Sequence, residues 1–219
     1  MPAVNYQAVL FDLDGTLLDT APDFAIALNQ LLARKERPPL TEAAIRAIVS
    51  NGSAGLIAHA FNCTEEDAEF EAIRSEFLEV YLDNLCQQTR PFPGIETLLK
   101  QLGAQGTPWG IVTNKPSLYT QVILDELKLQ PAPGSVVCPD HVEHAKPHPE
   151  PVLLGCKQLG SEPQHTIYVG DHRRDIESGR DAGTITVAAA YGYIDDDHPQ
   201  TWGARHLVNH VDELTALLF

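Results

Sequence analysis

The stretch Ala8-Val9-Leu10-Phe11-Asp12-Leu13-Asp14-Gly15-Thr16 decides the fold. Its first residues form a short unbroken apolar run, the pattern of a central strand in a parallel sheet covered on both faces. Asp12 and Asp14 follow two apart, so on an extended chain their side chains leave on one side, and Gly15 permits a sharp turn after them. In doubly wound sheets the chemistry gathers at the carboxyl ends of such strands.

Trp109-Gly110-Ile111-Val112, Val136-Val137-Cys138, Ile167-Tyr168-Val169 and Thr184-Ile185-Thr186-Val187 repeat the form, giving five expected strands. Helical spacing over 94–105 after Pro93, over 117–127 with Ser117 as cap, and over 150–159 and 176–182 alternates with them. Alternating β and α units predict an α/β protein with a Rossmann-like, doubly wound parallel sheet.

One long insertion separates the first two strands. Phe24, Leu28, Leu31 and Leu32, then Phe70, Ile73, Phe77 and Val80, recur at helical spacing, which predicts an all-helical cap domain over 19–89. Residues 1–18 and 90–219 then form the catalytic core. Inside the cap, Thr41 is expected to cap a short helix through Val49. A break at Ser50-Asn51-Gly52-Ser53 precedes a second helix to Phe61.

Of 219 residues, 43% are hydrophobic, enough for a packed core. Against 15 Lys and Arg stand 30 Asp and Glu, a formal net charge of -15, which repels nucleic acid and anionic lipid. A phosphate substrate would meet the same repulsion, so its site needs positive field from a metal, a lysine or helix N-termini. Cys63, Cys86, Cys138 and Cys156 lack metal-ligand spacing and read as reduced core thiols. No secretory or membrane-spanning run is seen, so a cytoplasmic monomer or homodimer is expected. Asp195-Asp196-Asp197 reads as a solvated loop.

Two adjacent carboxylates suit two-step phosphoryl transfer. One, Asp12, attacks phosphorus; the other, Asp14, protonates the leaving alkoxide and then activates water. Thr113 and Asn114, closing the second strand, offer a hydroxyl and amides to phosphoryl oxygens, though such residues also end strands in ordinary turns. Lys146 before Pro147 can neutralise the nucleophile, yet alone reads as a surface lysine. Gly170-Asp171-His172-Arg173-Arg174-Asp175 supplies carboxylates that, with Asp12, suit Mg²⁺, and equally reads as a helix start decorated with acids. Their order at the ends of four strands makes the joint pattern far more specific than any piece.

On these motifs the sequence resembles the haloacid dehalogenase-like hydrolases, with a helical cap inserted after the first motif. The resemblance implies Asp12 as nucleophile, Asp14 as acid and base, Thr113 and Asn114 as phosphate binders and Lys146 as charge neutraliser. It implies a Mg²⁺ site at Asp12, Asp14 through its main-chain carbonyl, and Asp171, with Asp175 as ligand or orienter of metal waters. His172 departs from the second acidic residue that many relatives carry there.

The layout is similar to phosphoglycolate phosphatases. The stretches from Cys138 to Lys157 and from Tyr191 to Ala204 are more similar to bacterial N-acetylmuramic acid 6-phosphate phosphatases of cell-wall recycling. Both substrates are small phosphate esters with a carboxylate, so a cap cation is expected. Arg46, beside Ser50, Asn51 and Gly52, is the candidate. A sugar-phosphate mutase, which also needs both aspartates, and a non-catalytic phosphate-sensing module are the alternatives.

Overall fold

The computed structural model describes residues 6–194 and 197–219, so Asp195 and Asp196 of the acidic run lie outside the described residues. The strands are β1 (Ala8–Phe11), β2 (Leu18–Asp19), β3 (Arg90–Pro91), β4 (Trp109–Val112), β5 (Ser135–Val137), β6 (Thr166–Gly170), β7 (Ile185–Ala189) and β8 (His206–Val208). The α-helices are α1 (Ala21–Arg34), α2 (Glu42–Arg46), α3 (Gly52–Phe61), α4 (Phe70–Asp83), α5 (Ile95–Ala104), α6 (Ser117–Leu127), α7 (Glu150–Leu159), α8 (Arg173–Asp181) and α9 (Val211–Leu218). Contacts divide the chain into two compact units, one of Met1–Leu18 with Pro91–Phe219, the other Asp19–Arg90.

The first unit is built on a six-stranded sheet in the order β5-β4-β1-β6-β7-β8, with every pairing parallel. Every residue of β1, β4, β6 and β7 is buried, which is why these strands read as continuous apolar runs. All five expected strands are present. The sixth, β8, corrects that count: it is short, lies at the sheet edge and is only partly buried, so His206 breaks its apolar signal.

The chain steps from β1 to β4 and β5 on one side, then crosses to β6 and beyond on the other. That reversal opens a crevice at the carboxyl ends beside β1. The ladder extends into two of the candidate site residues: Asp12 N–H donates to Val169 O at 2.8 Å and Thr113 N–H to Val137 O at 3.0 Å. Helix α7 lies close on the sheet because Gly155 carries no Cβ, which would stand 3.0 Å from Leu10 Cδ1.

Several local expectations change. Ser117 is the first residue of α6 and does not cap it; Asp140 does, accepting the Ser117 N–H at 2.9 Å and also its hydroxyl. Helix α8 begins at Arg173, three residues before the expected Ile176, with His172 as its cap. Cys138 and Cys156 are buried thiols, whereas Cys63 and Cys86 are only partly covered. Asp197 is tied rather than merely solvated: Arg173 Nη2 lies 2.8 Å from Oδ1, and Trp202 Nε1–H donates to Oδ2 at 2.8 Å.

In the second unit α1 packs on α4. Phe24 stacks on Tyr81 with ring centroids 4.1 Å apart, and Leu28, Leu31 and Phe77 are fully buried. Each such side chain contributes about 1.5–3 kcal/mol. Asp23, buried in the first turn of α1, accepts from Gln88 N–H at 2.7 Å, Thr89 N–H at 3.2 Å and the Thr89 hydroxyl at 2.5 Å, which offsets the loss of hydration. Thr41 Oγ1 accepts the Ala44 N–H at 3.2 Å, but the helix it caps ends at Arg46, not Val49. The expected break is a 3-10 turn over Val49–Asn51, with Gly52 opening α3 at φ +67°.

Candidate active site

At the end of β1 the buried Asp12 carboxylate accepts the Leu13 N–H through Oδ1 at 2.7 Å. The same oxygen lies 2.9 Å from Lys146 Nζ. That ammonium is fully buried and also reaches Asp175 Oδ1 at 2.7 Å, Val112 O at 2.9 Å and Tyr168 Oη at 3.0 Å. Lys146 is thus the shared counter-charge of two carboxylates. Burial opposes its charge, but the fields of Asp12 and Asp175 outweigh that and raise its pKa above the ordinary lysine value.

Asp171, from the end of β6, is held from both sides: Thr16 Oγ1–H donates to Oδ1 at 2.7 Å and Tyr193 N–H to Oδ2 at 2.8 Å. Gly15 makes room for it. With φ +83°, a Cβ there would stand 2.0 Å from Asp171 Oδ2. Asp175 sits in the first turn of α8, where Oδ2 accepts the His172 N–H at 3.0 Å, so it is both a helix-capping acid and a member of the site.

Ligand oxygens of Asp12, Asp171 and Asp175 all lie within 4.8 Å of one another. Burial, then the charge of Asp12 and Asp175, pushes Asp171 up to about 8. Burial likewise pushes Asp12 up to about 6, although Lys146 pulls against it. Asp175 stays below the ordinary carboxylate value because Lys146 and Arg174 overcome its burial. The cluster is therefore short of positive charge where Lys146 does not reach. An all-oxygen, desolvated, underneutralised set fits a hard divalent cation such as Mg²⁺. The Asp14 carboxylate stands outside this group, so any metal role for Asp14 falls to its main chain.

Asp14 is held differently: Lys115 Nζ lies 3.0 Å from Oδ1 and 3.2 Å from Oδ2. Thr113 Oγ1 accepts the Lys115 N–H at 3.1 Å, which leaves its hydroxyl proton to give. Asn114 braces the segment that carries Lys146, with Oδ1 accepting Lys146 N–H at 3.1 Å and Nδ2 donating to Lys146 O at 3.0 Å. The Asn114 carbonyl oxygen and one of its two side-chain N–H donors are thereby engaged. His172 is kept neutral by burial and by Arg174, down to about 4, and its Nδ1 accepts Arg174 N–H at 3.2 Å, the acceptor role an acidic residue would fill.

Sequence reasoning missed Thr16, Lys115, Tyr168 and Tyr193. Lys115 had a signal, since it follows Thr113-Asn114 directly at a strand end. Tyr168 and Tyr193 had none, because one sits inside an apolar strand and the other acts through its backbone. In the second unit, Arg46 Nη2 lies 2.6 Å from Asp19 Oδ2 and 3.9 Å from Glu42 Oε1. Ser50 and Asn51 belong to the 3-10 turn and Gly52 to α3.

Comparison with known proteins identifies the family. The family model described as haloacid dehalogenase-like hydrolase matches residues 9–189. An N-acetylmuramic acid 6-phosphate phosphatase of Pseudomonas aeruginosa is 45% identical, over 100% of this chain and 97% of its own. A phosphoglycolate phosphatase of Xanthomonas campestris is 42% identical, over 95% of this chain and 94% of its own. The crystal structure of a predicted phosphoglycolate phosphatase from Haemophilus somnus superposes with a TM-score of 0.87 at 26% identity, covering 99% of each chain. No helix among the described residues is long and apolar enough to cross a membrane. With the strand-end motifs gathered and relatives matched along its whole length, the chain belongs to the haloacid dehalogenase-like hydrolases and is a phosphoric monoester hydrolase.

Proposed function

We propose that the enzyme hydrolyses N-acetylmuramic acid 6-phosphate, with Mg²⁺ as cofactor and an aspartyl phosphate on Asp12 as intermediate. The observation that carries the chemistry is the Lys146 ammonium seated between Asp12 and Asp175. It favours the Asp12 carboxylate in its ionised, nucleophilic form despite burial. With Oδ1 engaged by Lys146 and Leu13, Oδ2 is the oxygen that attacks.

In the first step the Asp12 Oδ2–P bond forms and the P–O ester bond breaks, while Asp14 gives a proton to the departing alkoxide. In the second, Asp14 takes a proton from water, the water oxygen bonds phosphorus, and the Asp12 Oδ2–P bond breaks to release phosphate. Thr113 Oγ1–H and the Asn114 main-chain amide hold phosphoryl oxygens. Asp12, Asp171, Asp175 and the Asp14 carbonyl are the groups for Mg²⁺, which when bound offsets the phosphoryl charge.

The substrate assignment rests on 45% identity across the whole chain to the Pseudomonas aeruginosa phosphatase, slightly above the phosphoglycolate phosphatase of Xanthomonas campestris. Arg46 remains the proposed partner of the substrate carboxylate, and would have to exchange Asp19 for it. The test is Mg²⁺-dependent phosphate release from N-acetylmuramic acid 6-phosphate, phosphoglycolate and glucose 6-phosphate. The first should have the highest kcat/KM, and Asp12→Asn should abolish release from all. Preference for phosphoglycolate would overturn the substrate. Glucose phosphate isomerisation without release would indicate a mutase.

A further inference from the structure

Among the described residues a second group of metal-ligand side chains lies in the same unit: His144, His148 and Glu150, on the segment from Glu143 into the start of α7. The ligand atoms offered by these three residues fall within 4.8 Å of one another. His144 Nδ1 is 3.3 Å and His148 Nδ1 3.9 Å from the same oxygen, Glu150 Oε2. Donors about 2.0–2.2 Å from a common tetrahedral zinc stand roughly 3.3–3.6 Å apart, so His144 and Glu150 already suit one ion, while His148 Nδ1, which accepts the Glu150 N–H at 3.3 Å, would move in and exchange that bond for the ion.

The carboxylate is already oriented. Glu150 Oε1 accepts Glu143 N–H and Oε2 accepts His144 N–H, both at 3.0 Å. Backbone support of this kind fixes a ligand before the metal arrives. The imidazoles face one another with centroids 4.6 Å apart. They border an open cavity of about 620 Å³ that Glu143, Glu177 and Asp181 also line, with Arg180 as the cation among them. The local field favours a cation, and both histidines are exposed enough to receive one from solvent.

We propose that His144, His148 and Glu150 form a surface site for a borderline divalent ion of the zinc class, with water completing the shell. Two imidazoles and one carboxylate select such an ion over Mg²⁺, which the all-oxygen cluster suits instead. An ion bound there would span Lys146, which lies between the two histidines in sequence.

The test titrates ZnCl2 calorimetrically into tag-free protein held in saturating MgCl2, so that the carboxylate cluster is filled. The expected result is uptake of about one Zn²⁺ per chain with Kd on the order of micromolar, weakened at least tenfold in the His144→Ala/His148→Ala variant. Added Co²⁺ should give visible absorption in the wild type that the variant lacks. No Zn²⁺ uptake by the wild type, or equal affinity in the variant, would overturn the site.

Discussion

Lys115 Nζ spans both oxygens of Asp14, at 3.0 and 3.2 Å, so the proposed proton shuttle is clamped by a neighbouring strand end. The lysine is itself buried and acts as a positioning residue. Lys115→Met should lower kcat about tenfold to a hundredfold, a part of the roughly 10²–10⁴-fold that general acid–base catalysis supplies, with a smaller change in KM. Lys115→Arg should recover part of the loss. An unchanged kcat in Lys115→Met would remove the clamp from the mechanism.

Lys146 carries a structural load as well as a chemical one. Lys146→Met leaves Asp12 and Asp175 buried without their shared cation, which should cost about 3–5 kcal/mol of stability in metal-free protein and eliminate turnover. Urea denaturation measures the first and phosphate release the second. A variant as stable as wild type would contradict the burial argument.

The carboxylates also predict how stability depends on pH. Asp171 is raised from 3.8 to about 8 and Asp12 to about 6. A carboxyl whose folded pKa is raised favours the native state when protonated. That contribution is complete below about pH 4 and is lost as pH rises through 6 and then 8. Metal-free protein should therefore lose Tm from these groups between about pH 4 and 8, and the Tm gain on adding Mg²⁺ should widen over the same interval. A Mg²⁺ effect independent of pH would refute the linkage.

Gly15→Ala should be disproportionately harmful for one added methyl. It needs φ +83° and would place Cβ against Asp171 Oδ2. Strain of order 1–3 kcal/mol is expected, together with weaker Mg²⁺ binding by calorimetry as Asp171 is displaced. Wild-type Mg²⁺ affinity in a folded Gly15→Ala protein would show that Asp171 tolerates the shift.

Much of the sheet was legible in the sequence because a strand buried on both faces must be apolar throughout, as β1 and β6 are. Edge strand β8 carried no such mark. Asp12, Asp14 and Asp171 were visible as residues after strands and Lys146 as a lysine before a proline, but their partnerships were not. The place of Lys115 directly after Thr113-Asn114 marks it as a strand-end residue but does not name Asp14 as its partner, and nothing local tells Asn114 as a brace from Asn114 as a phosphate donor. Those roles depend on which segments meet. The capping of α6 by Asp140 is the same lesson: a helix signal read within ten residues misses an acceptor supplied by another loop.

Val9 pairs with Trp109 on one side and Ile167 on the other, placing the first-made strand between two later ones. On the ribosome, β1 therefore emerges long before either neighbour exists, and its apolar run must wait for most of the chain to be synthesised. Asp12 finds Lys146 and Asp175 only when that waiting ends. A nascent chain stalled before Thr166 would thus lack β6 beside β1 as well as Asp171 and Asp175, so catalytic competence arrives with the completion of the fold rather than before it.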